Sequence, residues 1–304
     1  MQLPIEIVAE GLLFPEGPIS MADGSVVLVE IARGTLSRAQ PDGSVEVIAE
    51  LGGGPNGAAI GPDGRCYVCN NGGMEFHRSS QGLLFPGNQP ADYQTGRIEA
   101  VDLATGEVET LYNACDGHAL RGPNDLVFDK QGGFWFTDHG KHRPRDKDIT
   151  GVFYATADGK HIEEVIFPLE GPNGIGLSPD ENTVYVAETP TGRVWAYDLE
   201  APGKVDTNTR RRMLAQIPDF HLFDSLAIDV DGNVCVATIA TGGITVLSAD
   251  GNDAQFYPMP DVVTTNICFG GEGLRTAYVT LSTTGRLAAV PWVTAGLPLN
   301  FLNT

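Results

Sequence analysis

Basic residues are scarce. Of 304 residues, 19 are Lys or Arg and 39 are Asp or Glu, which leaves a net charge of −20. A general nucleic-acid binder needs basic surface to displace counterions, so that class is excluded. Docking to an anionic membrane surface is disfavoured for the same reason. Long apolar runs are missing too: none approaches the roughly 18 residues of a membrane span. The opening residues Met1-Gln2-Leu3-Pro4-Ile5-Glu6 have neither the basic start nor the apolar stretch of a leader. There are only five cysteines, an odd number. Together these features set the expectation of a reduced, cytoplasmic protein without disulfides. Uninterrupted helical stretches are also lacking, because 38 Gly and 20 Pro punctuate the chain. No Gly-x-Ser-x-Gly elbow occurs, which argues against a serine esterase.

A hydrophobic content of 42% excludes a disordered chain. A chain of this length buries roughly three quarters of its unfolded surface and needs no metal or disulfide merely to fold. Cys66 and Cys69 make a C-x-x-C, but they sit in Arg65-Cys-Tyr-Val-Cys-Asn70, a strand pattern. Residues three apart on a strand face opposite sides. They are therefore expected to be buried thiols of the core and not a metal or redox pair.

A turn recurs along the chain: Asp23-Gly24, Asp63-Gly64, Gln131-Gly132, Asp180-Glu181, Asp231-Gly232 and Glu272-Gly273. Each is followed by a β-rich run, then by a second marker such as Arg33-Gly34, Thr150-Gly151 or Thr284-Gly285 that opens another strand. In five of the six units a third turn leads to a fourth strand; Ala201-Pro202-Gly203 is the one in the fourth unit. Six units of four antiparallel strands predict an all-β, six-bladed β-propeller that takes up residues 1–304 as one domain. The sixth unit ends early and the spare strand Ile5–Glu10 comes first, so the N-terminal strand is expected to close the last blade and cover its edge.

Seven residues before each first turn stand Glu16, Asn56, Asn124, Asn173, Asp224 and Thr265. The innermost strand of each blade starts at the central channel, so these positions should converge on the axis at one face. They form a ring of oxygen donors with no thiolate. Buried carboxylates and amides without partners cost several kcal/mol. Such a ring suits a hard divalent cation, Ca²⁺ first, with Mg²⁺ or Mn²⁺ as alternatives and Zn²⁺ or Fe²⁺ to be tested.

Several stretches carry a wider resemblance: Phe14-Pro-Glu-Gly-Pro18, Arg121-Gly-Pro-Asn-Asp125 with Gly133-Phe-Trp-Phe-Thr-Asp138, Pro172-Asn-Gly-Ile-Gly-Leu-Ser178, Asp224-Ser-Leu-Ala-Ile-Asp229 and Asn266-Ile-Cys-Phe-Gly-Gly271. Through them nearly the whole chain resembles the senescence-marker-protein/gluconolactonase/regucalcin family of six-bladed propellers. The resemblance implies one catalytic divalent cation and hydrolysis of a small-molecule lactone, with a sugar-acid lactone favoured. It places Glu16, Asn173 and Asp224 on metal-ligand positions and Asn124 on a position that holds metal, substrate or both. Arg121 is implied at the substrate, although it stands three residues before Asn124 where animal members often have an Arg two before. Asn56 is left behind the ligands.

Open coordination positions distinguish a catalytic metal from a structural one. Asp224 is the candidate general base, and a water activated directly by the cation is the competing nucleophile. His139 and His221 are expected to contact substrate at the same face, and His118 to lie on a loop entering it. Two insertions should border the site. The first, Asn70 to Gln94 in blade 2, holds Met74, Phe76, Leu83, Leu84, Phe85 and Tyr93; it either packs on its own blade or roofs the pocket. The second, Asp138 to Asp148 in blade 3, holds Lys141, Arg143, Arg145 and Lys147 and is expected to form a cationic rim. The competing functions are hydrolysis of a non-sugar lactone, ester or phosphotriester, as in the diisopropylfluorophosphatase-like propellers, and non-enzymatic calcium binding. Oligomeric state is not legible.

Overall fold

The computed structural model describes residues 3–209, 211–217 and 221–303. Six four-stranded antiparallel units follow one another along the chain as six blades. Blade 1 runs Pro15–Ser20, Val26–Glu30, Thr35–Ala39 and Val45–Glu50 from axis to rim. In blade 6 the inner strands Thr264–Gly270, Thr276–Leu281 and Arg286–Pro291 are completed by Glu6–Ala9, which pairs antiparallel with Arg286–Pro291. The expected N-terminal closure is therefore present, and it covers the outer edge of Arg286–Pro291. Blade 4 departs from the expected plan. Its third turn leads only to the short strand Lys204–Val205, and the fourth strand proper is Arg212–Gln216.

The apolar core is divided among the seams between blades. Tyr67, Cys69 and Ile98 of blade 2 pack on Phe134, Phe136 and Phe153 of blade 3. Val27, Val29 and Leu36 of blade 1 pack on Cys66, Val68 and Val101 of blade 2. Every second strand thus faces an apolar neighbour on both sides. This explains uninterrupted apolar runs such as Val26-Val27-Leu28-Val29, where a sheet exposed on one face would alternate. Cys66 and Cys69 fall in the seams on opposite sides of blade 2, both with the thiol pKa pushed up by burial. All five cysteines are free and buried.

Each innermost strand is interrupted at the same place. The pairing register shifts between Glu16 and Ile19, Pro55 and Ala58, Pro123 and Leu126, Pro172 and Ile175, Phe223 and Leu226, and Thr264 and Asn266. A bulge of this kind re-aims side chains that would otherwise alternate across the strand. It also brings neighbouring blades into backbone contact at the axis. A Cβ on Gly174 would lie 2.6 Å from the Leu226 nitrogen and 2.7 Å from the Asp224 carbonyl oxygen of blade 5. Only glycine fits there.

Candidate functional site

The six ring residues all line one cavity of about 200 Å³ at the axis. Glu16, Asn56, Asn124, Asn173 and Thr265 are buried, whereas Asp224 keeps part of its surface open. The seven-residue register therefore identified the cavity floor in every blade. Thr265 is engaged with the hydroxyls of Thr280 and Ser282 at 2.9 and 2.5 Å, which ties blade 6 together beneath the floor.

The electrostatics of the floor are unfavourable as it stands. Burial pushes the Glu16 carboxyl above the ordinary range, against hydrogen bonds from the Asn266 amide at 2.6 Å and the Gly17 N–H at 2.8 Å. Burial, and then the Glu16 charge, raise Asp224 well above the usual carboxylate value, although Asn173 donates to it. A third acid, Asp125, sits beside them and is pushed up to about 8 by burial and by Glu16. The Asn124 side-chain oxygen is buried with no hydrogen-bond partner. An orphaned amide oxygen beside the buried Glu16 carboxylate and the partly open Asp224 carboxylate is a donor set that a hard cation would satisfy. Among the described residues no three His, Cys, Asp or Glu converge at metal-binding distances, so amide oxygens must supply part of any such shell.

The structure separates the other expected site residues. His139 lines the cavity; its Nδ1 is buried without a partner, and burial lowers its pKa to about 4, so the ring is neutral. His142 joins it, with ring centroids 5.7 Å apart. His221 does not line the cavity, and its Nδ1 meets the Thr241 hydroxyl at 3.1 Å. Arg121 is exposed and outside the cavity lining. Its backbone N–H is held by Asp138 at 2.7 Å, and the one-residue offset of this Arg from the common spacing matches a side chain that does not face the axis. His118 is exposed on the short strand His118–Ala119.

The blade 2 insertion is a roof. It forms a hairpin, Phe76–Arg78 against Leu84–Pro86, and contributes Met74, Pro86, Gly87, Asn88 and Gln89 to the cavity. Its far end reaches blade 6, where the Leu84 N–H donates to the Thr283 carbonyl at 3.1 Å. Phe76 packs on Phe14 with centroids 5.3 Å apart. Its return is tied to blade 3 by the Gln89 N–H on the His142 carbonyl at 2.8 Å.

Three of the four cations expected to rim the site from the blade 3 loop are engaged within the protein, and Arg145 is exposed. Arg143 is engaged by Asp146 and Asp148, and Lys147 by Glu170 at 2.9 Å. Lys141 is buried and holds the root of the roof, its ammonium donating to the carbonyls of Asn71 and Gly73. Burial lowers its pKa to about 8. Asp146 and Asp148 alternate with the cations in the same loop and neutralise Arg143 locally, whereas Glu170 lies beyond the loop.

Asp125, Ser225 and Asn266 were missed as neighbours of the ring; none lines the cavity, and Asp125 and Asn266 line a separate pocket. Each follows a ring residue directly, and a regular strand would point it away. Ser225 and Asn266 nevertheless hydrogen-bond ring residues, Ser225 to Asn173 and Asn266 to Glu16, while Asp125 packs beneath Gly57 of blade 2. The repeated bulge is the cause, and the glycines at the equivalent positions Gly17, Gly57 and Gly174 were the available signal.

Comparison with known proteins agrees with this architecture. Residues 14–283 match the SMP-30/gluconolactonase/LRE-like region. A gluconolactonase of Zymomonas mobilis is 28% identical over 92% of this chain and 79% of its own. The lactonase drp35 of Staphylococcus saprophyticus is 31% identical over 84% of this chain and 72% of its own. The structure of a calcium-binding regucalcin from Agrobacterium tumefaciens superposes with a TM-score of 0.78 over 100% of this chain and 99% of that one, at 17% identity. The chain belongs to the SMP-30/gluconolactonase/LRE-like family.

Proposed function

We propose that the protein is a divalent-cation-dependent hydrolase that opens a lactone ring. The observation that carries this reading is the cavity floor, where the Glu16 and Asp224 carboxylates and an unpartnered Asn124 oxygen line the same space. Glu16, Asn173 and Asp224 would hold the cation, with Asn124 beside them. When bound, the cation supplies Lewis acidity at the lactone carbonyl. Ca²⁺ is the first choice for an oxygen-only shell. The gluconolactonase and lactonase relatives support a lactone as substrate.

Asp224 is the floor carboxylate open to the cavity and takes the proton of the attacking water. The new bond joins that water oxygen to the carbonyl carbon. The ring C–O bond then breaks, and the proton passes to the departing alkoxide oxygen. The neutral His139 presents an acceptor to a substrate hydroxyl. The roof excludes bulk water and holds the ring in place. Glucono-δ-lactone, the sugar-acid lactone that the family resemblance favours, is the reference substrate of the assay.

Acid release from a lactone panel tests the proposal, using chelated protein with Ca²⁺, Mg²⁺, Mn²⁺, Zn²⁺ or Fe²⁺ restored one at a time. Asp224→Ala should abolish release while keeping the β-rich circular dichroism. Turnover of phosphotriesters with every lactone inert would favour the phosphotriesterase reading. Tight calcium binding with no turnover of any ester would favour a calcium-binding propeller.

A further inference from the structure

The cavity has two chemically different sides. Phe14, Ile31, Met74 and Val263 belong to one apolar cluster formed by blade 1, the roof and the entry to blade 6, and Ile239 of blade 5 extends it along the cavity. Opposite them, Asn88 and Gln89 of the roof, His139, Lys141 and His142 of blade 3 and Thr189 of blade 4 make a polar side. The reacting floor lies between the two.

The apolar side is locked from the backbone. Phe14 is buried in the left-handed region at φ 58°, where a bulky side chain is uncommon and strained. The Ile31 N–H donates to the Phe14 carbonyl at 3.0 Å, which fixes two wall residues to each other. Ala240, next to Ile239, is also left-handed at φ 72°, and its N–H donates to the Val262 carbonyl at 2.7 Å, beside Val263. A strained backbone that orders an apolar wall above a polar floor is pre-organised for an apolar partner.

We propose that the substrate is an amphiphilic lactone, carrying an alkyl or aryl substituent that seats against Phe14, Ile31, Met74, Ile239 and Val263 and a hydrogen-bonding edge that faces His139, Gln89 and His142. This rests on the reading of the site as a lactone hydrolase. A ring hydroxylated at every carbon would turn hydroxyls onto that wall, where each loses its water partners and gains none. The penalty is roughly tenfold in binding for each such hydroxyl. An alkyl chain gains roughly fourfold for each methylene it buries there.

The test compares kcat/KM for δ-valerolactone, δ-decalactone and glucono-δ-lactone under the same divalent cation, with spontaneous hydrolysis subtracted. The chained lactone should exceed the unsubstituted ring by at least about tenfold, the gain for two buried methylenes, and should exceed glucono-δ-lactone as well. Met74→Gln, a near-isosteric change on the partly exposed roof, should shrink the preference for the chained lactone several-fold. Calorimetric binding of 6-pentyl-piperidin-2-one against gluconolactam reads the same wall without turnover. If glucono-δ-lactone is the better substrate, or Met74→Gln leaves the ratio unchanged, the amphiphilic class is wrong while the hydrolase reading stands. If no lactone turns over but the pentyl lactam binds the better, the hydrolase reading fails and the assignment of the wall survives. Equal binding of the two lactams overturns it.

Discussion

Asp125 gives the sharpest energetic prediction. Its carboxyl is buried next to Glu16 and titrates near 8 in the cation-free protein, against 3.8 when unperturbed. Between those values the folded state holds a proton that the unfolded state has released. Folding then binds protons, so this group's contribution to stability is full below pH 4 and is lost as pH rises through 8. From pH 5 to 8 the loss is about 4 kcal/mol at about 1.4 kcal/mol per unit. For a chain of this size that lowers the melting temperature by roughly 6 °C. Asp125→Asn removes this contribution and also relieves the repulsion that Asp125 exerts on Asp224, which changes the difference in the same direction. Calorimetric melting of wild type and variant in chelator, at fixed ionic strength, measures it. The difference between the two proteins should change by about 4 kcal/mol across that range, with wild type losing ground as pH rises. Comparing the two proteins cancels the opposing titration of His139, whose depressed pKa favours the folded state as pH rises. A difference that stays flat, or that favours wild type with rising pH, would refute the picture of an acid held protonated beneath the floor.

Two further outcomes follow from the geometry. Gly174→Ala places a methyl 2.6 Å from the Leu226 nitrogen and 2.7 Å from the Asp224 carbonyl oxygen. It should destabilise by roughly 1–3 kcal/mol and, by displacing Asp224, lower kcat/KM about 100-fold, read by melting and by acid release. Because all five thiols are buried and free, the native protein should not react with a thiol reagent, and the denatured protein should titrate all five; rapid labelling of Cys66 or Cys69 in the native state would contradict the seam packing.

The propeller was legible because its repeat is written in turns. Asp-Gly pairs and their variants mark the hairpins, and a count of seven back from each lands on the cavity lining in all six blades. The closure by Glu6–Ala9 followed from counting strands. What spacing could not show is which side chains meet, within a loop or between blades. Arg143 reads as a free cation in sequence, yet it is bound by Asp146 and Asp148. Lys141 reads as another rim charge, yet it holds the root of the roof through two carbonyls some seventy residues away. His221 stands three residues from Asp224 in the chain, but it turns to Thr241 instead of the cavity. Asp125 and Asn266 escaped because a strand's two-residue period sends them away from the ring residues, and only the bulge brings them against those residues. The amphiphilic character of the cavity likewise arises from residues scattered between Phe14 and Val263, which no local pattern joins.

The most direct test of the cation site is anomalous diffraction from crystals of the chelated protein soaked in Mn²⁺. One peak is expected on the propeller axis, within coordination distance of oxygens from Glu16, Asn173 and Asp224 and close to Asn124, and it should vanish in Asp224→Asn crystals. A Mn²⁺ peak elsewhere with none on the axis, in protein that still opens lactones, would contradict the account.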